Sequence, residues 1–458
     1  MASKPLHMET GLTYHYLVNR LVPGPQSLSY FVPLLLLPIA FSVPPWIASK
    51  QTLCAITLPI ITASLVHAWI IMGGIDVISF DMLLHSYHLL LFNDPRRNFR
   101  RVVAINESKP ATAGEVKSAV SDVHDHQDES TTPQYVDQSY PAKWSERLPW
   151  IGTLLHSMRF VDWKIGVPSH DSRQPDRHPN PPSHLRFILT AILRTLTGFV
   201  VVDLTSAWTQ QDPYFKAFGV SVDSPLPNTG LITLIPPRLL RCTIMALQVW
   251  ATVGQQFQLP CCLPVALHWA GHLSDPWSPH LWPTFFGSFR GVFTTQNLGA
   301  VRNFWGRYWH QTLRHYCSGP GVWIADFTHL PRRSYYRYFL LAATTFFFSG
   351  IVHIGLVPPE PAFAVKSANE IRWLILKFFW AQPLGFAFEM VVSRVLRGLD
   401  TPKPIYVMLN IVWFAAWCCL VLPLLGEAGR NLGYWRVWPI PLSPWQGVTR
   451  GKWLPWYA

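Results

Sequence analysis

A single histidine interrupts an apolar run at Phe346-Phe347-Phe348-Ser349-Gly350-Ile351-Val352-His353-Ile354-Gly355. A neutral imidazole titrates near working pH and can accept the proton of a hydroxyl as that oxygen attacks a carbonyl such as a thioester. Ionisable groups at membrane depth are costly and usually functional. Structural glue between helices is the plain alternative, and burial by itself does not choose between them. A second cluster, Arg302-Asn303-Phe304-Trp305-Gly306-Arg307-Tyr308-Trp309-His310-Gln311 followed by Arg314 and His315, tips the balance. A tetrahedral oxyanion formed beside His353 needs donors in a water-free site, and His310, Asn303 or the indole N–H of Trp305 or Trp309 are of the right type. Exclusion of water would also favour transfer to an alcohol over hydrolysis. Arg302, Arg307 and Arg314, with Arg332 and Arg333 after Pro331, are candidates to pair with phosphate oxygens. Anchoring of helix ends is an equally good account of each arginine taken singly. Gln311 and Ser349 complete the candidate binding set.

Other motifs fail their own patterns. His124 and Asp128 copy an H-x-x-x-D acyltransferase signature, but within a stretch with no periodicity and without a D-F-G-W-G partner. His268 and His272 share a helical face, yet no Glu stands between them and no third ligand is evident. Gly287-Ser288-Phe289-Arg290-Gly291 is not the G-x-S-x-G nucleophile elbow. Asp76 with Asp81 is the one loose approach to the paired acidic motifs that diphosphate chemistry would need.

The F-W-G-x-x-W-H segment at 304–310, followed by the F-x-x-S-G-x-x-H helix at 346–353, resembles the wax synthase branch of the membrane-bound O-acyltransferases. Trp282-Pro283-Thr284-Phe285-Phe286-Gly287-Ser288 strengthens the likeness where the family has a Pro-x-Phe-Gly element, and Asp94-Pro95-Arg96 extends it weakly toward the N-terminus. The resemblance implies a multi-helix fold around an internal tunnel, His353 as the catalytic residue and His310 as a second polar residue in the aromatic segment. It also implies an acyl-CoA cosubstrate, a lipophilic alcohol as acceptor and no bound cofactor or metal. The branch includes enzymes for long-chain alcohols and fungal enzymes that acetylate terpenoid or polyketide-terpenoid metabolites. The long polar loop and Pro-rich style favour acetyl transfer from acetyl-CoA to a secondary-metabolite hydroxyl.

These groups must be positioned by elements that sit in lipid. The 458 residues are 49% hydrophobic and only 14% charged, against roughly 25% charged in ordinary globular domains. Twenty-two Trp and 15 Tyr fit residues that collect at membrane interfaces. The net charge of +12 is scattered between apolar segments rather than gathered on a basic face beside stacking aromatics, which excludes nucleic acid as a partner. Membrane lipid is the expected surrounding. Seven cysteines, odd in number and without a C-x-x-C pair, suggest neither a disulfide framework nor a zinc site.

Apolar windows of about 20 residues occur at 28–47, 53–73, 185–208, 339–357, 371–395 and 405–425, with less certain ones at 75–92 and 231–270. The expected architecture is all-α, a polytopic membrane protein of seven to nine transmembrane helices. It divides into N-terminal membrane helices (1–93), a polar, partly disordered cytosolic loop (94–183) and a membrane-embedded core (184–458) holding the motif region 282–357. Arg96, Arg97, Arg100 and Arg101 place the loop on the cytosolic side, which would leave the N-x-S match at Asn106 unglycosylated. Met1 to Arg20 lacks the short apolar core of a cleavable signal peptide. The endoplasmic reticulum is the expected membrane. A transporter with buried histidines, the rival of another class, predicts repeated halves, and no repeat of fixed period is visible.

Overall fold

Apolar segments with few charges fold as helices because only internal hydrogen bonds can satisfy the backbone away from water. The computed structural model describes residues 28–104, 135–157, 159–165, 182–227, 230, 234–273, 277–279, 282, 286–294, 297–361, 364–396, 402–436 and 442–454. Met1 to Arg20, Asn106, His124, Asp128, Pro283 and Phe285 lie outside the described residues.

Helix α1 (Leu28–Ser42) keeps Pro33 and Pro38 inside it. Helix α2 (Lys50–Met72) starts where the Ser49 hydroxyl accepts the Thr52 amide and stops at Gly73, whose φ of 72° suits a residue without Cβ. Helix α3 (Val77–Tyr87) is capped by Asp76, which accepts the Ser79 amide and, at 2.7 Å, the Tyr30 hydroxyl. It continues as a π turn over His88–Phe92. Next comes α4 (Trp144–His156), and the remaining main helices are α5 (His184–Thr209), α6 (Pro237–Gln258), α7 (Cys262–Trp269), α8 (Ala300–Asn303), α9 (Arg314–Phe327), α10 (Tyr335–Ile354), α11 (Ala368–Leu396) and α12 (Lys403–Asn431).

Five of these, α2, α5, α10, α11 and α12, are long and apolar enough to cross a bilayer. On α5, Leu189, Leu193, Leu196 and Val200 are all at least 51% exposed at spacings that make one stripe, a surface suited to lipid rather than water. The chain is an integral membrane protein. Among the described residues this is fewer than the expected seven to nine, and two of the expected stretches are shorter or more polar than these five. Helix α1 has 15 residues, or about 22 Å at 1.5 Å per residue. The 231–270 stretch breaks into α6, which carries Arg238, Arg241, Gln248, Gln255 and Gln258, and the eight-residue α7.

Arg241 of α6 and Asp212, which precedes it by 29 residues, form an ion pair at 2.7 Å with both side chains fully buried. Arg241 also donates to the Val222 and Ser224 carbonyls at 2.9 and 2.7 Å. Asp212→Ala would leave that guanidinium buried without its counter-charge. A loss of about 3–5 kcal/mol is expected, read as a lowered thermal midpoint of the detergent-solubilised protein.

Within the 94–183 stretch, expected to be a polar and partly disordered loop, the described residues include packed structure. β1 (Phe99–Ala104) is the centre of an antiparallel sheet of order β2-β1-β3, pairing with β2 (Tyr135–Gln138) and β3 (Trp163–Ile165). Helix α4 buries Trp150, Ile151 and Leu154, which join Phe99, Phe160 and Trp163 in a core shared with Phe41, Leu89, Tyr316 and Val352. The polar average of the stretch conceals one amphipathic helix, so an all-α architecture gains a small sheet. Arg96 belongs to the same unit. Asp94 holds its guanidinium at 2.9 and 3.0 Å, and Arg96 donates to the Val43 and Ala48 carbonyls across the α1–α2 connection.

Candidate active site

His353 lies in the last turn of α10. Its Nδ1 is 2.7 Å from the Ser349 carbonyl oxygen, and a carbonyl can only accept, so Nδ1 carries the proton and Nε2 keeps its lone pair. Among the described residues none is hydrogen-bonded to Nε2. The ring rests on Phe379 of α11, with centroids 4.3 Å apart. This is the tautomer of a base, held by its own helix on one side and an aromatic face on the other.

The aromatic segment approaches from α8, which runs into a π turn over Phe304–Tyr308. Such turns are rare and recur at functional sites. Gly287 makes the turn possible. Its amide donates to the Tyr308 carbonyl at 2.8 Å, and a Cβ there would overlap the Arg307 carbonyl.

His310 emerges after that turn, its Nδ1 2.9 Å from the Thr312 hydroxyl. Burial, reinforced by the nearby His353 and Arg159, pushes its pKa down to about 3. His310 therefore lies within electrostatic reach of His353. With its pKa held that low, His310 is neutral at working pH and available as a hydrogen-bonding group rather than a cation. Unfolded, the same side chain titrates near 6.5, so acidification protonates the unfolded chain first. Stability that is intact above about pH 6.5 should fall between there and about pH 3. A thermal-denaturation series should show the wild type losing more on acidification than His310→Gln over that window.

The other expected site residues divide. Trp309 stays beside His310, centroids 5.5 Å apart, and packs on Phe286 and Phe304 at 5.1 and 5.4 Å. Asn303 is buried and gives its amide to the Val292 carbonyl at 3.3 Å. The Trp305 indole N–H donates to Gln382 at 2.9 Å. Gln311 binds the Trp305 carbonyl at 2.9 Å and receives Arg314 at 3.3 Å, bracing the turn from below. Ser349 contributes its carbonyl to His353. Arg302 has its amide on Glu389, whereas Arg307, Arg314, Arg332 and Arg333 are exposed. His268, set aside above, pairs with His184 at 2.8 Å.

Arg159 is a neighbour of His310 that the sequence did not flag, because it falls within the stretch read as a loop. It precedes Phe160 and Asp162, whose φ of 50° and 59° are costly for side chains of this kind. Phe160 fills the core against His315 at 5.3 Å and Phe99 at 5.6 Å. Gln382 and Glu389 were missed as well, although polar residues within a long apolar helix are the signal that finds them.

The model of the Membrane bound O-acyl transferase family matches residues 282–359, which contain both motifs. Acetyltransferase eriL of Hericium erinaceus is 27% identical over 317 residues, covering 67% of this chain and 73% of the relative. Acetyltransferase AOL_s00215g273 of Arthrobotrys oligospora is 23% identical over 352 residues, 68% of this chain and 69% of the relative. O-Mevalon transferase yanI of Aspergillus niger is 26% identical over 247 residues, 50% of this chain and 49% of the relative. No solved structure matches. With its two spaced motifs, its apolar helices and these relatives, the chain resembles the membrane bound O-acyl transferase family over residues 282–359.

Proposed function

We propose that the protein transfers the acyl group of acyl-CoA, specifically the acetyl group of acetyl-CoA, to a hydroxyl of a lipophilic secondary metabolite of the terpenoid or meroterpenoid class. The observation that carries this reading is the His353 imidazole, with Nδ1 bound to Ser349 and Nε2 available, beside a neutral His310. His353 Nε2 takes the proton of the acceptor hydroxyl as its oxygen bonds to the thioester carbonyl carbon. The tetrahedral oxyanion is stabilised by donors of the aromatic segment, His310 foremost because it lies within electrostatic reach of His353, with Trp309, Asn303 and Trp305 as the other donors of that segment. Collapse breaks the carbon–sulfur bond, and the proton on His353 passes to the departing thiolate. Ester and free thiol are formed without net proton uptake.

Arg307, Arg314, Arg332 and Arg333 lie exposed at the ends of the elements that carry the site, where phosphates of a soluble cosubstrate would be met. Acetyl transfer is favoured over long-chain transfer by relatives that are themselves named acetyltransferases. We place the reaction in the endoplasmic reticulum membrane, with an acceptor that reaches His353 through a tunnel in the bundle and the 94–183 segment on the cytosolic side.

Membranes containing the protein, incubated with either acetyl-CoA or palmitoyl-CoA and a panel of farnesol, hydroxylated diterpenes and hexadecanol, test the reading by mass spectrometry of the products. Acetylated terpenoids support it. Hexadecyl palmitate as the main product would replace it with wax ester synthesis, and no ester with any pair would reject acyl transfer to alcohols of these classes.

A further inference from the structure

The backbone that leads into the aromatic segment is suspended from side chains of α11 and α12. Asn410 accepts the Gly299 amide at 2.9 Å and donates to the Asn297 carbonyl at 3.1 Å. Ser393 donates to the Leu298 carbonyl at 2.8 Å. Glu389 accepts the Val301 and Arg302 amides at 2.6 and 3.1 Å and the Trp413 indole at 3.0 Å. Gln382 Oε1 receives two indoles, Trp305 at 2.9 Å and Trp417 at 3.0 Å, while its Nε2 donates to the Phe378 carbonyl at 2.8 Å. Gln382, Glu389 and Asn410 are at most 1% exposed.

Polar groups buried this deeply are expensive unless bonded, and a helix that had only to span lipid would carry Leu at these positions. Gln382, Glu389 and Ser393 follow one another at intervals of seven and four residues, which puts them on one face of α11. Three residues before Gln382 the same helix presents Phe379, the ring on which His353 rests. Helix α11 thus touches the base of one motif and the anchor of the other, and it carries both in one rigid element.

Resting on the acyl-transfer reading above, we infer that Gln382 and Glu389 are positioning residues that fix the 297–310 segment, and with it His310, against the His353 imidazole. They touch no reacting atom in this role. Proton transfer and oxyanion stabilisation depend steeply on placement, and a displacement of about 1 Å costs on the order of 10²-fold in rate.

Gln382→Leu removes the shared acceptor of the two indoles, whereas Gln382→Glu keeps an oxygen for both and, as the neutral acid that burial favours, keeps a donor for the Phe378 carbonyl. Assayed with acetyl-CoA and the panel alcohol that the wild type acetylates best, Gln382→Leu should lose about 10²-fold in kcat with KM for acetyl-CoA within about twofold. Gln382→Glu should keep activity within about threefold of wild type. Glu389→Gln, which turns an amide donor toward the Arg302 or Val301 amide, should resemble Gln382→Leu. Wild-type kcat in folded Gln382→Leu and Glu389→Gln would overturn the inference. So would equal losses in Gln382→Leu and Gln382→Glu that track the folded fraction, since that is the mark of a merely structural role. A wild type that acetylates no alcohol would reject the acyl-transfer reading itself, and this inference with it.

Discussion

His353→Ala should lower acyl transfer by about 10²–10⁴-fold, the range typical for loss of a general base. The expectation follows from the tautomer. The Ser349 carbonyl accepts a hydrogen bond from Nδ1 at 2.7 Å, so every neutral ring that occupies this rotamer presents an unprotonated Nε2. His353→Gln provides a stricter comparison, because an amide can hydrogen-bond to the acceptor hydroxyl yet cannot take up its proton at working pH. The measurement is kcat/KM for acetyl transfer in membranes, with the amount of folded protein determined for each variant. Turnover equal to wild type in either variant would remove His353 from the chemistry. A raised KM at unchanged kcat would instead assign it to binding.

Gly355→Ala should produce the second large effect without altering any polar group of the site. The backbone of Gly355, at φ −64°, is one that any residue adopts, so conformational freedom is not its purpose. Space is. A Cβ at this position would lie 2.5 Å from the Val77 amide nitrogen and 2.6 Å from the Asp76 carbonyl carbon. Both are backbone atoms at the start of α3, and Asp76 is held there by its own cap bond to Ser79 at 3.0 Å, so neither can rotate aside. The end of α10 would have to move, and His353 is two residues away. Overpacking of this kind costs about 1–3 kcal/mol. If His353 is the proposed base, its displacement should add on the order of 10²-fold in rate. A thermal midpoint lowered by several degrees together with a fall in kcat is the expected pair of results. An unchanged midpoint with wild-type kcat would show that the α3–α10 contact yields without cost.

Much of the site was legible from residue types. A histidine inside an apolar helix and a clustered F-W-G-x-x-W-H segment are anomalies against the chemistry of a lipid-facing chain, and the family match over 282–359 covers both. The roles within the segment were less legible. His310, Asn303, Trp305 and Trp309 all offer donors, and the sequence treats them alike. The fold distinguishes them by what else each one meets. Trp305 reaches Gln382 and Asn303 reaches Val292, while His310 remains within reach of His353. Those partners lie 11 to 77 residues from the groups they meet, too distant for local spacing to relate them.

The 94–183 stretch shows the reverse situation. Its composition is polar on average, and averaging suits segments that bury nothing. Trp150, Ile151 and Leu154 nonetheless share one face of α4 and enter the same core as Tyr316 and Val352. That packing sets the Phe160 turn against His315 and brings Arg159 near His310.

What the sequence determined by itself is therefore what depends on local physics: which segments are apolar enough to be helices in lipid, and which residues are chemically out of place there. Only the tertiary structure decided which of those residues meet, how a π turn is held by side chains of α11 and α12, and how a polar-looking segment finds a buried face. The reason is that hydrophobicity and helix formation are read over neighbouring residues, whereas hydrogen-bond partners and shared cores are chosen by a packing in which chain separation carries no weight.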